Sequence, residues 1–217
     1  MKKLIALPLL YLSMSSVYAG LLESPTKASD NSPLLIRVRG IGVLPDVSSS
    51  PITLINGKVT QISNEVVPEL DFNYFFNSNI SAELILATTR HTVKATGTAL
   101  GTINLGKVNL LPPTLTALYH FLPNKTVNPY LGGGVNYTHF YNVNPGKIAT
   151  SIKYDDGFGG VVQAGVDMQV TPSWSINIDV KKVFLDTNVT VSALGLKPKT
   201  TVTINPLIVG LGVGYRV

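Results

Sequence analysis

The sequence predicts an all-β fold, an eight-stranded antiparallel transmembrane β-barrel with short periplasmic turns and four long extracellular loops. Three observations predict it: an N-terminal export signal, a hydrophobic mature chain without any apolar run of 18 residues, and a side-chain period of two. Only helices and closed barrels satisfy their backbone hydrogen bonds inside lipid. An exported membrane chain without an apolar helix is therefore expected to be a barrel.

Composition supports a membrane protein. The chain has 217 residues, of which 13% are charged, against roughly 25% in an average soluble domain. Its mean hydropathy is +0.28, which excludes a disordered chain. The formal net charge of +5 includes Lys2 and Lys3 of the export signal, so the remaining charge is too dilute for nucleic-acid binding. The absence of cysteine excludes disulfides and thiolate chemistry.

Residues 1–19 have the three parts of a secretory signal peptide. Lys2 and Lys3 precede an apolar run from Leu4 to Leu12, and the segment ends in small residues at Ala19. We expect cleavage after Ala19, because nine apolar residues are too few for a membrane-spanning helix. Residues 20–33 are then a periplasmic lead-in, and residues 34–217 form the barrel.

Eight segments alternate large apolar residues with polar or small ones, at a length suited to tilted transmembrane strands. The last segment alternates Leu211, Val213 and Tyr215 with glycines. In chain order the apolar faces are Leu34 to Val38, Leu70 to Phe76, Ile80 to Leu86, Leu111 to Phe121, Leu131 to Tyr137, Val162 to Val170, Trp174 to Val180 and Leu207 to Val217.

The connections between these segments alternate in length. Residues 77–79, 123–126 and 171–173 are short turns, whereas residues 44–65, 92–110, 142–157 and 187–205 are long loops. This alternation is typical of outer-membrane barrels, and an even strand number puts both termini on the periplasmic side. Aromatic residues near the short turns predict one interfacial girdle: Tyr74, Phe75, Phe76, Tyr119, Phe121, Tyr130, Trp174 and Tyr215. Aromatic residues near the long loops predict a second girdle: Tyr137, Phe140, Tyr141, Phe158 and Phe184.

Charged residues of both signs occupy the polar faces of these segments. A soluble barrel with an apolar interior is the alternative, since period two alone does not show which face points inward. The export signal, aromatic positions and loop lengths favour an apolar face towards lipid. We therefore expect a charge network in the lumen. It is either a structural plug or a barrier that blocks ions and lets a solute leave sideways. Its members are Arg37, Arg39, Glu69, Asp71, Glu83, Asp167, Asp179, Lys181 and Arg216.

The long loops contain more apolar residues than water-exposed loop tips need. One interpretation is an apolar mouth that binds a ligand; another is that strands extend beyond the membrane as hairpins with an apolar lining. The candidate mouth residues are Leu54, Ile55, Leu100, Ile103, Leu105, Leu194 and Leu196. An eight-stranded barrel holds side chains or one small ligand and no wide aqueous pore.

The sequence offers no sign of catalysis. His91, His120 and His139 are far apart and lack a metal-binding or nucleophile motif. The glycines from Gly210 to Gly214 have no helix behind them, so a phosphate loop is excluded. We expect no enzyme activity, no metal and no cofactor.

Three stretches and the closing residues resemble the OmpW family of small outer-membrane barrels. They run from Leu111 to Phe121, from Pro129 to Phe140 and from Ala164 to Lys181, followed by Gly212 to Arg216. The resemblance implies an eight-stranded barrel for the passage of small, largely hydrophobic molecules. The family usually ends in phenylalanine, whereas this chain ends in Val217.

The predicted function is a narrow passage or binding site for small, mainly hydrophobic solutes in the outer membrane. The alternative is a structural or surface-interaction barrel whose extracellular loops bind host or environmental partners. Expected partners are outer-membrane lipid, a small hydrophobic solute and the barrel-assembly machinery during insertion; nucleic acid is not expected, and the chain is expected to be a monomer.

Overall fold

The computed structural model describes residues 32–53, 57–98, 101–147, 149–192 and 195–217. The predicted signal peptide and residues 20–31 of the lead-in lie outside the described residues, so both remain predictions. No helix within these ranges is long and apolar enough to cross a membrane.

The described chain folds into fourteen β-strands. Alternating apolar and polar residues favour extended structure because successive side chains point to opposite faces. The strands are β1 (Leu34–Leu44), β2 (Val47–Ser49), β3 (Lys58–Ile62), β4 (Glu65–Phe75), β5 (Ile80–Ala87), β6 (Thr89–Thr98), β7 (Gly101–Leu111), β8 (Thr114–His120), β9 (Val127–Pro145), β10 (Ser151–Tyr154), β11 (Gly157–Gln169), β12 (Trp174–Ser192), β13 (Lys199–Ile204) and β14 (Leu207–Arg216).

Eight of these strands close into an antiparallel ring, which confirms the predicted fold. The ring order is β1, β4, β5, β8, β9, β11, β12 and β14. The last strand closes it, since β14 pairs with β12 on one side and with β1 on the other. Closure gives every ring strand a neighbour on both sides, as lipid requires.

The start of the first ring strand and the end of the last one lie at the end of the barrel that carries the short turns. Leu34 faces Tyr74 at the end of β4, and Leu35 faces Arg216 at the end of β14. The turns after β4, β8 and β11 connect neighbouring ring strands at this same end. We call it the periplasmic end, as the alternation of loop lengths predicts.

Most residues of the four long loops are themselves β-structure. Strands β2, β3, β6, β7, β10 and β13 lie outside the ring, and we call them the extension. β9 and β12, each 19 residues long, run from the ring into the extension and pair with its strands. The connections predicted as long loops therefore consist largely of strands that continue beyond the ring, as one of the two interpretations of their apolar residues expected.

The two faces of the ring strands have opposite polarity. Val162 and Leu211 point outward and are 53% and 60% exposed, whereas Arg37 and Glu83 point inward and are fully buried. A wall with an apolar outer face and a charged inner face is stable only when lipid surrounds it, which excludes the soluble alternative.

Three residues assigned to the aromatic girdles point inward instead. Tyr130 is only 1% exposed and Phe140 is 8% exposed. Phe75 is half-buried and stacks on His120 inside the barrel. Strand position alone did not distinguish their faces, since aromatic side chains occur on both. Tyr74, Phe76, Tyr119, Phe121, Trp174 and Tyr215 are exposed at the periplasmic end, as predicted.

The strand pairing of the wall is interrupted beyond the ends of β5 and β8. β5 pairs with β8 as far as Ile85 and Thr114, and β6 pairs with β7 from Thr89 and Leu110 in the same register. Three residue pairs between these points are not joined by strand hydrogen bonds. Pro112 and Pro113 occupy this position, and proline has no N–H for a ladder hydrogen bond. We call this interruption the proline gap.

Candidate functional site

The inner face of the barrel begins at the periplasmic end with two arginines on β1. Arg37 and Arg39 are two residues apart, so both side chains point into the lumen. Across the β1–β14 pairing they face Gly214 and Gly212. A Cβ at Gly212 would lie 2.6 Å from Cγ of Arg39, so the glycine face of β14 provides room for the arginine stems.

Arg37 contacts three carboxylates from three other strands. Its Nη2 lies 2.7 Å from Oδ2 of Asp167, and its Nη1 lies 3.0 Å from Oε1 of Glu83 and 3.2 Å from Oδ1 of Asp71. Charge-assisted hydrogen bonds of this kind are the strong ones in proteins. This guanidinium therefore connects β4, β5 and β11 through the middle of the barrel.

Arg39 makes a second set of contacts one step nearer the extension. Its Nε donates to Oε1 of Glu69 at 2.7 Å, and its Nη2 lies 2.9 Å from Oδ2 of Asp71 and 3.1 Å from Oε1 of Glu83. Nη1 donates to Oδ1 of Asn177 at 3.0 Å. Asp71 and Glu83 thus each contact both guanidinium groups.

Lys181 on β12 completes the set on the side of the extension. Its Nζ donates to Oε1 of Glu69 at 3.0 Å and lies 2.8 Å from Oδ1 of Asp179. Both carboxylates also belong to the contacts of Arg39, the longest of which joins Nη1 to Asp179 at 3.8 Å. Eight of the nine charged residues predicted for the lumen therefore meet in one cluster.

Uncharged polar residues complete this cluster, and the sequence analysis did not assign them a role in it. Tyr130 donates from its hydroxyl to Oδ2 of Asp179 at 2.8 Å. Gln163 donates to Oε2 of Glu83 at 2.7 Å and to Oδ2 of Asp179 at 2.9 Å. The sequence signal that could have identified Gln163 and Asn177 is their position on the polar face of strands with a period of two. We call the eight charged residues with Tyr130, Gln163 and Asn177 the polar plug.

Arg216 differs from the predicted network. Its guanidinium lies over the ring of Phe75, 4.4 Å from the centroid, and its Nη1 donates to the backbone oxygen of Ser32 at 3.1 Å. Within the described part of the chain no carboxylate lies at ion-pair distance from it. It sits at the periplasmic end because β14 ends there, one step outside the polar plug.

The polar plug fills the lumen with groups that bind one another. Each of its charged residues is at most 8% exposed, and the contacts cross the barrel between strands distant in sequence. An ion on this path would have to break buried, charge-assisted contacts, which is costly. In this layer the lumen is occupied by side chains that contact one another across the barrel.

Above the polar plug the inner face becomes apolar. On β1 the inward positions after Arg39 are Ile41 and Val43, and on β12 those after Lys181 are Val183 and Leu185. Ring and extension strands together form one buried cluster, which we call the apolar chamber: Ile52, Val59, Val93, Ala95, Ile103, Leu105, Val108, Phe140, Ile152, Val161, Val183, Leu185, Val189, Val191, Val202 and Ile204.

A cavity of about 90 Å³ lies inside the apolar chamber and at its lower boundary. This is several times the roughly 10–15 Å³ that one water molecule needs. Its walls are mostly Val, Leu and Ile side chains, together with Pro112 and Ala87 at the proline gap. Glu69 and Lys181 are its charged lining residues at the polar plug.

The predicted mouth residues divide into three groups. Ile103 and Leu105 are buried in the apolar chamber, and Leu105 also lines the cavity. Leu196 is 50% exposed and lies apart from them. Leu54, Ile55, Leu100 and Leu194 lie outside the described residues. Most of the cavity wall comes from other residues, including Ile41, Val161 and Val183, that the sequence analysis did not single out.

The histidines do not form a common site. His91 lines the cavity from β6 in the extension, and burial lowers the pKa of its imidazole, although a hydrogen bond with the backbone oxygen of Ser63 acts in the opposite sense. His120 is buried near the periplasmic end, where Nε2 lies 3.0 Å from Oγ of Ser81. His139 contacts Asp156 on the outer surface. No group of three or more possible metal ligands occurs among the residues that the structure describes.

A closed ring with an apolar outer face and a charged lumen defines the class of outer-membrane β-barrel proteins. Residues 30–217 match the model of the OmpW family, and the chain belongs to this family. The resemblance noted in the sequence is thereby confirmed.

Relatives agree on the fold and the compartment. The uncharacterized outer-membrane protein y4mB of Sinorhizobium fredii is 43% identical, covering 87% of this chain and 82% of the relative. Outer membrane protein W of Vibrio cholerae is 30% identical, covering 93% of this chain and 96% of the relative. The crystal structure of OprG from Pseudomonas aeruginosa matches with a TM-score of 0.79 at 28% identity, over 85% of this chain and 95% of that one. The protein is located in the outer membrane.

Proposed function

We propose that the barrel takes small hydrophobic solutes from the outside into the apolar chamber and releases them sideways through the proline gap. The observation that carries this proposal is the stacking of the two inner layers. A cavity with apolar walls lies directly on the polar plug, which prevents straight passage to the periplasmic end.

The proline gap lies at the side of this cavity. Pro112, Ala87 and Leu110 line the cavity, and they also lie at or beside the residue pairs that lack strand hydrogen bonds. Side-chain contacts close the gap instead: Oγ1 of Thr88 donates to the backbone oxygen of Leu110 at 3.2 Å and lies 2.6 Å from the hydroxyl of Tyr141. Such contacts open at lower cost than several ladder hydrogen bonds.

The outer surface around the gap suits an apolar molecule. Leu111 and Leu115 are 41% and 52% exposed on the lipid-facing side. A solute that leaves the apolar chamber here would move from one apolar environment to another and would not cross the polar plug. The same proposal needs neither a cofactor nor catalysis, and it applies to a single chain that the barrel-assembly machinery inserts.

One relative is named for the metabolism of an apolar aromatic compound. The dibenzothiophene metabolism operon protein PahQ of Pseudomonas aeruginosa is 29% identical, covering 90% of this chain and 93% of the relative. An association with the metabolism of an apolar aromatic compound is consistent with a hydrophobic solute. It supports the class of solute for this chain and does not identify the compound.

A reversible crosslink across the proline gap tests the exit. The double variant Ala87→Cys with Pro112→Cys places cysteines at positions that face each other in the continued register. The chain has no other cysteine. We expect the oxidised variant to lose most of the initial rate of naphthalene entry into cells with a lipopolysaccharide-containing outer membrane, and dithiothreitol to restore it.

The matched control lies on the intact part of the same strand pair. Ile80→Cys with Tyr119→Cys joins two paired, outward-facing positions of the same strand pair near the periplasmic end, away from the gap. Its oxidation should leave naphthalene entry unchanged. Equal entry with the gap crosslinked and uncrosslinked would exclude this exit.

A second variant tests the apolar chamber itself. Val183→Trp fills the cavity from β12, whereas Val180→Trp adds the same ring to the lipid face of the same strand. We expect the first to abolish saturable naphthalene binding in lipid nanodiscs and the second to preserve it. Loss in neither would favour the alternative of a structural or surface-interaction barrel.

A further inference from the structure

The cavity meets the polar plug at one ion pair, Glu69 with Lys181. Both side chains are almost fully buried, at 3% and 2% exposed, and both line the cavity. They are the charged groups in an otherwise largely apolar lining. A solute with a polar group would orient that group towards this pair, because the polar lining residues of the other walls, such as His91, Asn136 and Thr187, already bond other protein groups.

The Glu69 carboxylate has an oxygen available on the cavity side. The two donors that reach it, Nε of Arg39 and Nζ of Lys181, both bind Oε1, at 2.7 Å and 3.0 Å. No hydrogen bond to Oε2 occurs among the described residues. A carboxylate oxygen of a cavity-lining residue that lacks a donor is expected to accept a hydrogen bond from a molecule in the cavity.

Lys181 offers the complementary group. An ammonium has three N–H donors, and the contacts of Nζ with Glu69 and Asp179 use at most two of them. The end of the cavity therefore presents one free acceptor and one free donor side by side.

The net charge of the polar plug further restricts which solutes the cavity accepts. It contains five carboxylates, Glu69, Asp71, Glu83, Asp167 and Asp179, but only three cations, Arg37, Arg39 and Lys181. An ionised carboxylate or phosphate entering above this excess of negative charge would be repelled in a water-poor site. A neutral group that both donates and accepts meets no such penalty.

We infer that the preferred solutes are small apolar molecules with a hydroxyl group, whose O–H donates to Oε2 of Glu69 and whose oxygen accepts from Nζ of Lys181. This inference rests on the proposed function, since it concerns the same apolar chamber. It adds a polarity requirement to what shape and hydrophobicity alone would select.

The test compares ligands of equal size that differ in one hydrogen-bond donor. 1-Octanol and 1-methoxyheptane have the same number of heavy atoms, but the ether cannot donate to Glu69. Each displaces naphthalene from the mature protein in lipid nanodiscs, with empty nanodiscs to correct for partition into lipid. We expect 1-octanol to bind about tenfold more tightly than the ether, the value of about one net hydrogen bond, and octanoate at pH 8 not to displace naphthalene at the same concentrations.

Glu69→Gln tests the residue. The amide oxygen can replace Oε1 towards Arg39 and Lys181, and the amide N–H then faces the cavity as a donor. Because the ether oxygen can accept from this N–H, we expect the preference for 1-octanol to fall to about twofold or less. Glu65→Gln, a carboxylate on the same strand whose Oε1 accepts from Ser63 outside the cavity lining, is the control and should keep the tenfold preference.

The possible outcomes separate the two proposals. Saturable naphthalene binding with equal affinity for alcohol and ether would overturn the hydroxyl preference and leave the proposed function intact. Tighter binding of octanoate than of 1-octanol would also overturn it, because Lys181 would then dominate the site. Absence of saturable naphthalene binding would contradict both. The ligand series on the unaltered protein decides the question even if Glu69→Gln does not fold.

Discussion

The polar plug and the apolar chamber are built on the same strands, yet they use opposite chemistry. On β12 the inward residues change from Asp179 and Lys181 to Val183 and Leu185 within one continuous strand. The polar plug obtains its order from directional contacts between charges, and the apolar chamber from non-directional burial of side chains. One barrel thus combines a layer of buried charge contacts with an apolar layer that holds a cavity, without a change of fold.

This difference predicts unequal responses to substitution. Removal of one charge leaves buried partners without compensation, whereas removal of methyl groups beside an existing cavity enlarges that cavity. The free energy of unfolding should therefore fall most for a charge in the polar plug, and less for substitutions on the lipid face and in the apolar chamber. Unfolding by urea in lipid vesicles measures each free energy.

The largest effect is expected for Arg37→Met. The change leaves Asp167 without its guanidinium partner, and it leaves Asp71 and Glu83 with Arg39 alone in a buried layer. We expect a loss of about 3–5 kcal/mol in the free energy of unfolding. Arg216→Met is the matched control, and it should cost only about 1–2 kcal/mol, because Arg216 has one backbone hydrogen bond and one ring contact. Equal losses would contradict the central role of Arg37.

The second effect concerns the lipid face. Val209 points outward on β14, paired with Val180, and is 42% exposed. Val209→Arg should destabilise the inserted barrel by about 2–4 kcal/mol near the bilayer midplane. Leu196→Arg, in the connection before β13, should stay within about 0.5 kcal/mol of the unaltered protein. No loss for Val209→Arg would reverse the assignment of faces.

The third effect probes the apolar chamber. Leu185 is 4% exposed and lines the cavity, so Leu185→Ala should cost about 2 kcal/mol and enlarge the space for a ligand. We also expect naphthalene to bind more tightly to this variant. Ile178→Ala on the lipid face of the same strand, where lipid fills the space, should cost less and leave naphthalene binding unchanged. Weaker naphthalene binding to Leu185→Ala would argue against a ligand in this cavity.

The smallest effect is a pH dependence from His91. Burial holds its pKa below the ordinary value of about 6.5, so the unfolded chain binds a proton more readily than the folded one. Stability from this group is complete above pH 6.5 and decreases as the pH falls below it. His91→Gln should flatten the pH dependence of the unfolding free energy between pH 6.5 and 5.5 relative to the unaltered protein. The same slope in His91→Gln would assign the effect to other groups.

Regular alternation made most of the ring predictable. Each ring strand shows period two, and the short turns between them contain turn-forming residues, so strand number and closure followed from local pattern. The extension was harder to predict, because residues such as Val189 and Val202 alternate in segments that the loop-length pattern assigned to loops. Tyr130 and Phe140 were misplaced for a related reason, since aromatic side chains occur on both faces near a strand end.

The export signal, the β-barrel class and the family could all be predicted from the sequence, because these features depend on composition, local periodicity and motifs. Only the tertiary structure decided which charges meet: Arg37 and Asp167 are 130 positions apart, and their contact depends on ring closure and strand register. The tertiary structure also sets where the lumen changes from polar to apolar and places the proline gap beside that boundary. A side-chain period of two specifies the face to which each side chain points. Which residues of different strands lie at the same level along the barrel axis depends on the stagger of all eight ring strands.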